Sequence, residues 1–306
     1  MVTTFEDSSA MVIDSHHPWT LDRHQSRFYR GYVTVLISAS DLATALESDI
    51  PPTVVDVRWT LGNPDGHPDY LQGHIPTAVY VDLDGELAAH GPASSGRHPL
   101  PNADQLQAAA RRWGVSRGRP VVVYDGAGNL AAARAWWLLR WGGVADVRIL
   151  DGALPAWTVA GLPLSTDDVV PPAGNIEIRT GAMPVLTVDD VADFADEHTL
   201  LDARATERYR GDVEPIDPKA GHIPGAVSAP TGNNLAADGH FLPREELRER
   251  FAAFGDLDGP IGVYCGSGVT ATHAIAALNI AGADAALYPG SWSQWSNLDL
   301  PVAIGD

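Results

Sequence analysis

The first chemical clue is a lone thiol. The 306-residue chain contains one cysteine, Cys265, in the stretch GVYCGSGVTATHA (262–274), where an apolar run ends in a glycine-rich turn before an alanine-rich segment. A strand running through such a turn into a helix leaves successive backbone N–H groups pointing inward, at the positive end of the helix dipole, so an anion held there is stabilised. A cysteine at the first position has its thiolate favoured, and the thiolate is the nucleophilic form. Gly266 and Gly268 let the backbone curl around a sulfur that has gained another atom, with Val269 and Thr270 completing the cradle. A buried, inert strand-end thiol is the alternative, since cysteine is among the most buried residue types. Its place at the tip of a glycine nest favours the nucleophile.

The turn also reads G-x-G-x-x-A, the dinucleotide-binding pattern. It occurs twice, at Gly126, Gly128 and Ala131 and at Gly266, Gly268 and Ala271, and Asp151 stands where a ribose-binding acid would follow the first. That pattern belongs after the first strand of a nucleotide fold, whereas here a full set of elements precedes each turn. A cysteine-dependent phosphatase needs C-x5-R, and the sixth residue after Cys265 is Ala271.

The second occurrence reflects a duplication of the whole unit. VVDVR (54–58) returns as LLDAR (200–204), GHIPTAV (73–79) as GHIPGAV (221–227), VVVYDGAGNLAAARA (121–135) as IGVYCGSGVTATHA (261–274) and LDGALPAW (150–157) as YPGSWSQW (288–295). Within each copy, β-branched runs (Thr53–Val57, Val79–Leu83, Val121–Tyr124, Val147–Leu150) alternate with helix-length segments such as Ala131–Trp141. This predicts an α/β fold of two tandem domains, each a parallel sheet with helices on both faces and its binding site beyond the carboxyl ends of the strands. The expected boundaries are a polar extension over 1–30, a first domain without the cysteine over 31–171, a Pro/Gly-rich linker over 172–184, and a catalytic domain over 185–306. Asp125 stands in the first copy where Cys265 stands in the second. Features present in both copies, His74 and His222 among them, read as parts of the fold; features of one copy alone are the functional candidates.

The bulk composition narrows the partners. A formal net charge of -19, with one lysine and nineteen arginines, argues against a nucleic acid or an anionic membrane. No apolar run is long enough to span a bilayer and the first thirty residues do not read as a secretory signal, so a cytoplasmic location is expected. One cysteine excludes an intramolecular disulfide and a cysteine-rich metal site.

The C-G-S-G-V-T turn, the upstream G-H-I-P-G-A segment and the downstream G-S-W-x-x-W, set in a duplicated unit whose first copy lacks the cysteine, resemble the tandem-domain rhodanese-type sulfurtransferases, and among them the 3-mercaptopyruvate sulfurtransferases. The resemblance covers about residues 35 to 303. It implies that Cys265 accepts sulfur from a small anionic donor as a persulfide and passes it to cyanide, a small thiol or a thioredoxin-type acceptor, without a cofactor. Thiosulfate-preferring members carry basic residues in the loop, whereas Gly266 and Ser267 are neutral. Mercaptopyruvate leaves as an enolate that must be protonated, and Ser267 places a hydroxyl near the sulfur. The resemblance further implies a Ser, His and Asp acting together; the matching positions are Ser267, His98 in GRHPLP and Asp84 in YVDLD. The alternative for His98 is a helix-start marker, because HFLP (240–243) echoes HPLP (98–101). Arg208 in ATERYRG matches the arginine that binds the donor's carboxylate, whose two oxygens suit a guanidinium fork; Arg204 and Arg210 flank it. A second arginine is implied after Glu214-Pro215, but this chain has Asp217 near that place and Lys219 beyond, so the second clamp is expected to be missing or replaced by lysine. Thiosulfate as donor and a non-enzymatic persulfide carrier are the remaining readings.

Overall fold

A computed structural model describes residues 34–60, 62 and 64–306; the extension expected over residues 1–30 lies outside them. The duplicated apolar runs become the middle strands of two all-parallel sheets. In chain order the first sheet has β1 (Leu36–Ile37), β2 (Thr53–Asp56), β3 (Val79–Tyr80), β4 (Val121–Tyr124) and β5 (Val147–Leu150), arranged β1-β5-β4-β2-β3. The second has β6 (Thr199–Asp202), β7 (Val227–Ser228), β8 (Ile261–Tyr264) and β9 (Ala286–Leu287), arranged β7-β6-β8-β9. Strands β4 and β8 are wholly buried, as unbroken apolar runs in a doubly covered parallel sheet require.

Alternate residues of these strands feed different cores. Val121 and Val123 share one continuous apolar cluster with Ile261 and Val263 of the second sheet, whereas Val122 and Tyr124 face a separate cluster in the first domain and Tyr264 one in the second. The shared cluster exists because the helices that follow the two glycine turns, Ala132–Trp141 and Thr270–Ala281, pack against each other. Among the described residues no helix is long and apolar enough to cross a membrane.

One run differs from its expected form. Strand β3 stops at Tyr80 instead of reaching Leu83, because the Asp82 side chain accepts the N–H groups of Asp84 and Gly85 and starts a short helix, Leu83–Glu86. That cap brings Asp84 to the carboxyl end of the sheet. The segment 172–184 is pinned along the first domain: Gly174 donates to Arg111, Ile176 to Val115 and Arg179 to Gly142, with the Ile176 and Ile178 side chains buried.

The features common to both copies are internal braces. Arg58 donates to Asp56 and to the Gly73 carbonyl; Arg204 donates to Asp202 and to the Gly221 carbonyl. His74 lies 3.0 Å from the Tyr70 carbonyl and stacks on that ring, and His222 lies 2.8 Å from the Tyr209 carbonyl and stacks likewise. The phenolic oxygens of Tyr124 and Tyr264 accept the N–H groups of Ile75 and Ile223. Removing either hydroxyl orphans a buried N–H. Tyr124→Phe and Tyr264→Phe are therefore each expected to lower unfolding stability by about 1–3 kcal/mol, by similar amounts; urea titration of both variants is the check, and a neutral substitution at either site would contradict the shared role.

Candidate active site

The first copy demonstrates what the glycine turn binds. Asp125, directly after β4, accepts hydrogen bonds through one oxygen from the N–H groups of Ala127 and Asn129, both at 2.9 Å, and through the other from Ala131 and Ala132 at 3.0 and 3.3 Å. The nest closes on a single carboxylate that burial pushes up to about 6 while these four donors oppose the shift. With Asp125 filling it, the turn has no place for a pyrophosphate, and Asp151 instead accepts the Phe241 N–H of the second domain.

In the second copy Cys265 takes the same place after β8. Its sulfur accepts the Gly268 N–H at 3.2 Å, and the residue is 1% exposed. Gly268 has φ +77, and a Cβ there would lie 2.5 Å from the Pro289 carbonyl oxygen, so the turn demands glycine. Val269 caps the helix that starts at Thr270. The strand end is held from beneath by Ser291, at the unusual φ of 52, whose hydroxyl accepts the Cys265 N–H and donates to the Tyr288 carbonyl.

The first domain reaches over this loop. His98 Nδ1 lies 2.8 Å from the Ser267 hydroxyl oxygen, and His98 Nε2 lies 3.2 Å from Asp84, which also accepts the Trp59 indole N–H. The Asp84 carboxylate can only accept, which places the ring proton on Nε2 and leaves Nδ1 to accept from Ser267. Burial lowers His98 to about 4, against the attraction of Asp84, so the ring is neutral at pH 7. Three residues distant in sequence thus form one chain of hydrogen bonds ending in the cysteine loop, two residues after Cys265. In the second copy, by contrast, the matching His240 sits against Asp238.

Arg208 projects to the same loop. Its Nη2 donates to Glu214 at 2.7 Å and to Asp217 at 3.2 Å. Of its flanking arginines, Arg204 is the buried brace already described, and Arg210 pairs with Asp306 at the exposed surface. Of the two expectations for the second clamp, replacement by lysine does not hold. Lys219 is directed away, donating to the Leu298 carbonyl, while Asp217 receives Arg97 of the first domain.

Two residues at the site were missed from the sequence, Arg97 and Arg134. Arg134 is fully buried and donates to the carbonyls of Leu87, His98 and Gly268, so one guanidinium joins the first domain, the backbone of His98 and the cysteine loop. Burial pulls it down to about 10, an effect that its electrostatic interaction with Cys265 opposes, and it stays charged at neutral pH. Both residues belong to one copy only, a signal the sequence did carry: Gly239 stands opposite Arg97 when His98 is aligned with His240, and Ala274 stands opposite Arg134 when Asp125 is aligned with Cys265.

Known proteins are similar to this chain in sequence and fold. The rhodanese-like domain family matches residues 38–160 and again 187–298. A Mycobacterium tuberculosis protein with the provisional name thiosulfate sulfurtransferase SseB is 50% identical over 86% of this chain and 94% of its own. A Pseudomonas aeruginosa protein with the provisional name 3-mercaptopyruvate sulfurtransferase is 43% identical over 89% of this chain and 98% of its own. The crystal structure of Escherichia coli SseA, described as a 3-mercaptopyruvate sulfotransferase, superposes with a TM-score of 0.73 at 33% identity, covering 85% of this chain and 99% of that one.

Two measurements test this geometry. The unfolded chain protonates His98 near 6.5 and the folded one only near 4, so folding loses stability as the pH falls through that window. The His98 ring resonance, assigned by its loss in His98→Gln, is expected to keep its neutral position down to about pH 5; a midpoint at 6.5 would mean a solvated ring. Arg134→Met removes the buried charge opposite the thiolate and is expected to slow iodoacetamide alkylation of Cys265 at pH 7 by about tenfold or more. An unchanged rate in a folded variant would confine Arg134 to packing.

Proposed function

The chain belongs to the rhodanese-like sulfurtransferases, and from that premise we propose that it moves a sulfur atom from 3-mercaptopyruvate to a thiol or cyanide acceptor through a persulfide on Cys265. The Cys265 thiolate attacks the donor sulfur. As the new S–S bond forms, the donor's C–S bond breaks, and its electron pair passes into the enolate of pyruvate. The proton of the donor thiol must then reach the enolate carbon, so that a thiolate and a thiol acid become a persulfide anion and pyruvate with no net proton consumed. In the second half, an acceptor thiolate or cyanide attacks the outer sulfur and Cys265 leaves as thiolate.

The observation that carries the choice of donor is the Ser267 hydroxyl, 2.8 Å from the His98 nitrogen. A neutral imidazole with its lone pair turned to Ser267 can take the donor's proton through the hydroxyl and return it to carbon, and Asp84 keeps the ring in the tautomer that does so. Thiosulfate needs none of this, because sulfite departs without a proton. The anion site agrees in charge: Arg97 and Arg208 are balanced by Glu214 and Asp217, which suits a monocarboxylate better than a dianion. The cradle around Gly268 receives the persulfide as its counterpart receives the Asp125 carboxylate.

Thiosulfate is the second reading, favoured by the name of the Mycobacterium tuberculosis relative. Steady-state turnover with each donor against cyanide separates the two. The expected result is faster turnover with 3-mercaptopyruvate, loss of both activities in Cys265→Ser, and, in mass spectra of donor-treated wild type, one added sulfur on the peptide carrying Cys265. Ser267→Ala is expected to cut kcat with 3-mercaptopyruvate by about a hundredfold or more while leaving thiosulfate turnover within a few-fold. Equal losses with both donors would remove the proton relay from the mechanism, and a preference for thiosulfate would move the function to that donor.

A further inference from the structure

Resting on the sulfurtransferase reading, we infer that Arg97, a residue of the domain without the cysteine, is the second guanidinium of the donor site, binding the donor's carboxylate together with Arg208. Gly266 follows the nucleophile directly, and a Cβ placed on it would lie 3.2 Å from Arg97 Nη2 and 3.4 Å from Arg208 Nη1. Two guanidinia from different domains therefore converge on the residue next to the reacting sulfur.

The atoms that converge are the uncommitted ones. Arg97 engages Asp217 through Nη1, and Arg208 engages Glu214 and Asp217 through Nε and Nη2. Among the described residues no protein acceptor takes Arg97 Nη2 or Arg208 Nη1, and Arg97 Nε is a buried N–H without a partner. The buried Nε–H is costly to leave unpaired in the resting protein, and the two Nη groups beside the nucleophile are free to take a ligand with two oxygens.

Asp217 aims the pair. Its side chain is 2% exposed, and its two oxygens are divided between Arg97 and Arg208, so one carboxylate sets the spacing of both forks. The backbone of Arg97 is fixed as well: its N–H donates to the Ser293 hydroxyl at 3.0 Å, and Gln294 of the same short helix donates to the Ser94 carbonyl at 3.0 Å. Gly96 sits between them at φ +84, where a Cβ would lie 2.8 Å from the Gly290 carbonyl oxygen, so the strand of loop carrying Arg97 lies flat on the cysteine domain. Arg97 is thus a specificity residue for carboxylate donors, held in place by the residue that stands where a clamp had been expected.

Pyruvate protection reads this site without turnover: alkylation of Cys265 by neutral iodoacetamide is followed against rising pyruvate. In Arg97→Gln the half-protecting pyruvate concentration is expected to rise about tenfold or more, with the KM for 3-mercaptopyruvate rising in parallel and more than kcat falls. The charge exchange Arg97→Asp with Asp217→Arg, which returns an arginine to the same spot from the other side, is expected to recover most of the protection that either single change loses. Unaltered protection in a folded Arg97→Gln, or loss in the exchange variant equal to the sum of the singles, would overturn the assignment. Wild-type protein that pyruvate protects but 3-mercaptopyruvate does not serve as donor would defeat the donor reading alone.

Discussion

A buried positive charge without a carboxylate beside it costs more than almost any other feature of a protein interior, and Arg134 is such a charge. It is tolerated because three carbonyls, from Leu87, His98 and Gly268, turn inward to receive it and Cys265 lies near enough to interact with its charge. Those carbonyls come from both domains. The docking of the domains, the setting of His98 and the shape of the cysteine loop are therefore tied together around one guanidinium.

The two copies of the unit have divided their work accordingly. The first keeps its glycine turn closed on its own carboxylate, Asp125, and carries no thiol. What it supplies instead are side chains that the second copy lacks at matching positions, Asp84, Arg97 and Arg134, together with His98, whose counterpart His240 is turned to Asp238. The second keeps the open loop with its thiol. A protein built from the second copy alone would keep Cys265 and its glycine turn but would lack Asp84, His98, Arg97 and Arg134, which contact that turn or the residues around it.

Much of this was legible in the residues. The repeat, the parallel sheets and the placing of Cys265 after a buried strand follow from apolar runs and glycine turns, because local rules govern those features. Ser267, His98 and Asp84 were named through family resemblance, and the fold brings them into one hydrogen-bonded chain. Arg97 and Arg134 were not named. Their partners lie 120 and 134 positions away, and no local rule links such pairs. Comparing the copies position by position would have exposed both, since Gly239 and Ala274 stand opposite them. Asp217 misled for a related reason: read in one dimension it was a lost cation, and in three it holds a cation delivered by the other domain.

The apolar cluster that runs unbroken from the first sheet to the second has a consequence for how this gene can change. Duplicated units usually drift apart once one of them is released from selection. Here the copy without the cysteine still fills part of a common interior and places side chains on the cysteine loop, so a lesion in the sequence before the linker is felt in the structure after it. Splitting the reading frame between the halves would leave two products, neither with a complete interior nor a complete pocket, and the ancient duplication is in that sense no longer reversible.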